Sequence, residues 1–247
     1  RQALRRMFID SYYSQRGDRI SFTREQGSAF AKTIADDFNP LHDADAKRFC
    51  IPGDLLVSVI LGHYGLSRHM EFMFSGMVVD GVDLILPEPD ESLLLDDIEG
   101  RHYLSVQRRG ENSCDESLVQ DVARAYVEFS SHTFPDILVP LLEEQQLMIN
   151  PARPMVIYQS MIIDLDTLDF AAPRLEIDHN ELTTDGKRGN ARLMFNFMAG
   201  EKLIGRGEKH VVLGGLLPYE EATAARTVSA FIDRREAFSR TPADGGA

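Results

Sequence analysis

Residues 53–65 constrain the fold of this chain more than any other stretch. Pro52-Gly53-Asp54 opens a helix, and Leu55, Leu56, Val57, Val59, Ile60 and Leu61 leave it almost no polar side. A helix that is apolar all round is stable only when it is enclosed. The run 55–61 is far shorter than the roughly 20 residues that cross a bilayer. Enclosure must therefore come from the chain itself, and a strongly curved sheet wrapped around the helix supplies it. The expected class is α+β.

The sequence around this helix supplies candidates for that sheet. Ile20 and Phe22 flank Ser21 in a short strand-like segment. Thr23-Arg24-Glu25-Gln26 has the form of a capping box, so a helix over 24–35 is predicted. Asn39-Pro40 marks a tight turn within the polar stretch 36–45. From Phe72 the pattern turns to strands, predicted over 77–86, 103–107 and 118–129. The last of these also fits a helix, and strand is preferred because Tyr126 and Val127 are weak helix formers.

The second half repeats the order. Phe134-Pro135-Asp136-Ile137-Leu138-Val139 echoes Ile51-Pro52-Gly53-Asp54-Leu55-Leu56, so a second apolar helix is predicted to run to about residue 147. Strands follow at 155–164, 175–182, 191–198 and 202–213, with Leu193, Phe195 and Phe197 on one face, and residues 220–238 read as an amphipathic helix. The division expected is one half over 1–131, a second over 132–217, and a C-terminal helix with a disordered tail over 218–247.

Composition excludes several classes. Of 247 residues 43% are hydrophobic and 26% charged, which fits neither a wholly disordered chain nor a coiled coil. A net charge of −13 argues against nucleic acid as a partner, because phosphate contacts need clustered Lys and Arg. No stretch reads as a membrane span, and the basic N-terminal residues lack the apolar core of a secretory signal. Cys50 and Cys114 cannot build a disulfide framework and read as reduced thiols, Cys50 as a buried structural one, so the expected location is the cytoplasm. His63, His69 and the group His42, Asp43 and Asp45 are weak metal candidates, and no metal is expected. Gly205-x-Gly207 lacks the third glycine of a dinucleotide fingerprint.

The segment that carries chemistry is Asp37-Phe38-Asn39-Pro40-Leu41-His42. It sets a carboxylate and an imidazole five residues apart across a turn that Asn39 and Pro40 shape. Acid–base groups need such fixed placement. Eleven residues beyond His42, Gly53 begins the apolar helix; its amide has no intrahelical partner and sits at the positive end of the helix dipole. That end suits a carbonyl oxygen on which negative charge develops.

Asp37-x-Asn39-Pro40-x-His42, placed between a helix and a Gly-led apolar helix, resembles the hydratase motif of MaoC-like, (R)-specific enoyl-CoA hydratases. The resemblance covers residues 22–65 and implies a hot-dog fold, here a double hot-dog with both helices wrapped by one antiparallel sheet. It implies that Asp37 and His42 are the acid–base pair that adds water across the 2,3 double bond of an enoyl thioester, with the Gly53 amide polarising the carbonyl. The coenzyme A thioester would be the substrate, with no separate cofactor. The pattern departs from the family at Ala35, Asp36, Ala44 and Pro52, and Asp54 either caps the helix or faces the pocket, where it opposes a developing negative charge. Arg108 and Arg109 are the candidates for coenzyme A phosphates; Lys187-Arg188 and Arg5-Arg6 are further basic clusters. The second half has His132 and Asp136 but no second motif, so one site per chain is expected. A homodimer is compatible with this reading. Two other readings stay open: a non-catalytic acyl-thioester-binding or interaction protein, and a hot-dog thioesterase.

Overall fold

The computed structural model describes residues 7–240. The N-terminal Arg5-Arg6 pair and the tail expected to be disordered lie outside the described residues. A hairpin of β1 (Ser14–Arg16) and β2 (Arg19–Ser21) leads into α1 (Arg24–Thr33). The capping box forms: Gln26 N–H donates to Thr23 Oγ1 and Thr23 N–H to the Gln26 side-chain oxygen.

Then comes α2 (Gly53–Tyr64), the apolar helix, in which every residue from 55 to 61 is at most 2% exposed. Its one hydroxyl is satisfied locally, since Ser58 Oγ donates to the Asp54 carbonyl at 2.8 Å. The helix stops at Gly65, whose φ of +81° turns the chain straight into β3 (Leu66–Phe74). β4 (Leu84–Ile85), β5 (Ser92–Asp97) and β6 (His102–Ser113) complete the first set of strands. Of the strand predicted over 77–86 only β4 forms ladder pairs, and β5 was not foreseen because Leu93-Leu94-Leu95 does not alternate.

The main correction lies in 116–144. The predicted strand 118–129 is a helix, α3 (Glu116–Ser131), capped by the Asp115 carboxylate, which accepts from Leu118 N–H at 2.8 Å. Leu118, Val119, Val122, Ala123, Tyr126 and Val127 recur at helical spacing and are buried, α3 packing on α2. Burial of that stripe outweighs the small propensity cost of Tyr126 and Val127. The predicted apolar helix of the second half is instead a π-helical turn, Thr133–Leu138, and a short α4 (Val139–Glu144). Pro135 and Pro140 each remove a backbone donor there, which prevents one continuous α-helix. The second enclosed helix is therefore α3, and the echo at 134–139 does not mark it. Leu138 and Leu142 join a small separate core with Ala191, Val211 and Leu213.

The remaining strands are β7 (Leu147–Met148), β8 (Met155–Leu165), β9 (Pro173–Asp185), β10 (Arg188–Ala199), β11 (Lys202–Gly214) and β12 (Leu217–Pro218), followed by α5 (Glu221–Arg240). Ten strands form one antiparallel sheet in the order β1-β2-β4-β5-β6-β3-β8-β11-β10-β9. In each half the first long strand, β3 or β8, lies at the centre and the following meander returns beside it. β3 and β8 pair antiparallel from His69↔Asp164 to Met73↔Ser160, which joins the halves into one sheet. Leu193, Phe195 and Phe197 all face inward, as the alternation predicts. A helix-then-meander unit, twice, with both helices under a continuous sheet, is the double hot-dog arrangement. Among the described residues no helix is long and apolar enough to cross a membrane.

Candidate active site

The turn after α1 is built by its own side chains. Asp36 takes a positive φ of 48°, and Asp37 N–H donates to the Ala31 carbonyl at 2.8 Å. Asn39 N–H donates to Asp37 Oδ1 (2.9 Å), and Leu41 N–H donates to Asn39 Oδ1 (3.1 Å), which caps the single 3-10 turn Pro40–His42. These successive Asx turns set where Asp37 and His42 point.

His42 Nδ1 lies 2.8 Å from the Cys50 carbonyl, which only accepts, so Nδ1 carries a proton. Nε2 then faces Asp37 Oδ2 at 3.7 Å. Burial lowers the His42 pKa, but the contact of its Nδ1–H with the Cys50 sulfur, the Asp37 carboxylate and the Cys50 carbonyl raise it by more, to about 9. His42 is thus an imidazolium at neutral pH. A folded value above the ordinary 6.5 makes the pair stabilising below about pH 6.5, with that contribution lost as pH rises through about 9. Cys50→Ala removes one of the groups that raise it, so the His42 midpoint, followed by NMR through its Cε1 proton, should fall. An unchanged midpoint would show that the thiol has no part in it. Cys50 and Cys114 are both free thiols.

Asp37, His42 and Gly53 line one cavity of about 700 Å³, inside the range of small-molecule sites. Pro52 caps α2 without any side-chain hydrogen bond to the first amides. The Tyr158 ring of β8 lies against Gly53: a Cβ there would sit 2.7 Å from Tyr158 Cδ2, so only glycine fits. Asp54 does not cap α2; it lines the cavity, with Oδ1 3.7 Å from Lys209 Nζ of β11. Lys209 also donates to Ser130 Oγ at 2.9 Å. The hydroxyls of Tyr126 and Tyr158 are hydrogen-bonded to each other, and burial, with the Asp54 charge added, raises both phenols well above 10. The sequence reading missed Lys209, Tyr158 and Ser130. One signal was available: Lys209 occupies the inward slot of the alternation Gly207, Val211, Leu213, where a lysine is out of place.

Two acidic residues beside the pair, Asp36 and Asp43, are held by α5. Arg234 donates to Asp43 Oδ1 at 2.6 Å, with Lys32 on the same oxygen at 3.1 Å, and Arg235 lies 2.9 Å from Asp36 Oδ2. Both charges are thereby partly neutralised beside Asp37 and His42. Phe231 is the buried anchor of α5 and meets Phe38 and Phe134 edge-on or tilted, at 6.1 and 5.2 Å between ring centres. Phe231→Ala should destabilise the docked α5 by about 3 kcal/mol. Amide exchange over 221–240 should then speed up while that in α2 does not; unchanged exchange in α5 would mean the arginines alone hold it.

Arg108 and Arg109 are not brought to this cavity. Arg108 donates to the Asp90 and Tyr64 carbonyls, and Arg109 meets His69 and Glu71. Arg108 is held between the loop at Asp90 and the end of α2, and Arg109 is exposed at the surface. His63 hydrogen-bonds Tyr13, and His132 pairs with Asp136 at the surface.

The fold is that of a double hot-dog protein, with the Asp37–His42 pair and the start of its enclosed helix on one cavity. The chain belongs to the family described as "Protein of unknown function (DUF3581)", whose model matches residues 7–222. No curated protein matches it. Among solved structures it is similar to an acyl-CoA thioesterase II, TesB2, from Mycobacterium marinum, at 8% identity and a TM-score of 0.43, covering 87% of this chain and 100% of that one. It is similar to a MaoC-like dehydratase at 10% identity and a TM-score of 0.39, covering 81% and 97%. It is also similar to a peroxisomal multifunctional enzyme type 2 from Drosophila melanogaster, at 12% identity and a TM-score of 0.43, covering 79% of this chain and 48% of that one.

Proposed function

We propose that this protein hydrates a 2,3-enoyl thioester, or dehydrates the 3-hydroxyacyl thioester, by acid–base catalysis at Asp37 and His42. The observation that carries the reading is the approach of Asp37 Oδ2 to His42 Nε2, 3.7 Å, on the wall of a cavity that also holds the start of α2. The Asp37 carboxylate takes a proton from water as the water oxygen bonds to C3. Electrons of the double bond move onto the thioester carbonyl, and the oxyanion is held by the Gly53 N–H and the helix dipole. The His42 imidazolium gives its Nε2 proton to C2, and the proton on Asp37 then returns to His42. Water has been added and both groups are restored. The thioester carrier is the substrate, and no separate cofactor enters a step.

A second reading has an observation of its own. Asp54 places another carboxylate in the same cavity, and a carboxylate that activates water toward the carbonyl carbon would make the protein a thioesterase. One experiment separates the two. Wild-type protein is given trans-2-enoyl-CoAs from short to long chain, and the enoyl-thioester absorbance and released thiol are followed together. Loss of absorbance without thiol supports hydration; thiol release supports hydrolysis. Neither, from folded protein on every chain length, leaves a non-catalytic thioester-binding protein as the reading.

A further inference from the structure

Beside Gly53 and Tyr158, the cavity wall carries a charge pair that water addition does not use. The Lys209 side chain is only 7% exposed, and its Nζ stacks 4.2 Å above the Tyr158 ring. Asp54 Oδ1 is buried and has no hydrogen-bond partner among the described residues, lying 3.7 Å from that Nζ. Asp54, Ser130, Tyr158 and Lys209 all line the cavity. A buried ion pair is a poor way to stabilise a fold, since apolar side chains of similar size often do as well or better. A plain hydrocarbon chain in this cavity would leave Asp54 Oδ1 without a hydrogen bond and Lys209 Nζ with Ser130 Oγ as its one neutral hydrogen-bond acceptor.

The geometry specifies what would satisfy them. An oxygen about 2.8 Å from each atom closes a triangle over the 3.7 Å gap. It must accept from Lys209 and donate to Asp54 Oδ1. A hydroxyl does both, a ketone cannot donate, and a carboxylate would be repelled by Asp54. We infer that the cavity takes an acyl group bearing a hydroxyl away from the reacting carbons, its oxygen seated between Lys209 Nζ and Asp54 Oδ1. The inference rests on the acyl-thioester reading above for the rest of the ligand.

The test is calorimetric binding of unreactive S-alkyl coenzyme A thioethers, a short-to-long series with plain chains against the same chains ending in a hydroxyl. The wild type should bind one hydroxylated member at least about tenfold more tightly than its plain counterpart, as expected where buried polar groups are otherwise left unpaired. Lys209→Met combined with Asp54→Leu removes both charges together and should abolish that preference while keeping plain-chain binding. Equal binding of plain and hydroxylated chains at every length would overturn the inference and leave the thioester reading standing. A preference that survives the double substitution would also overturn it. Binding of neither series would defeat the thioester reading, and this inference with it.

Discussion

Asp37→Asn and His42→Ala should each lower the rate of enoyl-thioester hydration by about 10²–10⁴-fold, the range expected for losing a positioned acid or base. Asparagine keeps a side-chain oxygen for the Asn39 N–H, which is 2.9 Å from Asp37 Oδ1, so the turn should survive and only the base is lost. His42→Ala removes the proton donor and the link to the Cys50 carbonyl. Because the two groups act in one addition and pass one proton between them, the double variant should be little worse than either single one. Wild-type turnover should fall as pH rises through about 9, where His42 loses its proton. Both variants turning over at the wild-type rate would sink the assignment, and an alkaline limb that persists in His42→Gln would assign that limb to another group.

Gly65→Ala should cost about 3–5 kcal/mol of stability, the sum of a strained backbone and a close contact. Gly65 has φ +81° and ψ −178°, a conformation essentially reserved for glycine. A Cβ there would lie 2.5 Å from the Ser113 carbonyl oxygen and 2.8 Å from Cys114 Sγ, and a backbone oxygen in β6 cannot move aside. For a chain of this size the melting temperature should drop on the order of 10 °C. Gly100 is the control: it has φ +84° with nothing within 4 Å of an added Cβ, so Gly100→Ala should cost only about 1–2 kcal/mol. Equal losses at the two positions in thermal unfolding would mean that the contact with Ser113 relaxes freely.

How much of this was legible in the chain differs by element. The enclosed helix was readable because six of the seven residues 55–61 are apolar, and β10 because Leu193, Phe195 and Phe197 recur at every second position. α3 was misread because its apolar stripe suits a helix while its composition suits a strand, and packing on α2 decided between them. The motif turn was readable because the two Asx turns that shape it each join residues two apart. The Lys209–Asp54 pair is separated by 155 residues, and the Arg234–Asp43 pair by 191.

The sequence by itself determined the enclosed α2, the Asn39-Pro40 turn and the candidates Asp37 and His42, because each depends on contacts within one or two turns of chain. The tertiary structure decided which helix is the second one under the sheet. It alone brought Tyr158 and Lys209 to the α2 start and laid α5 across the acidic residues beside the pair. Those contacts come from strand pairing and helix docking between distant segments, where the partner of a side chain is chosen by topology and no local pattern records it.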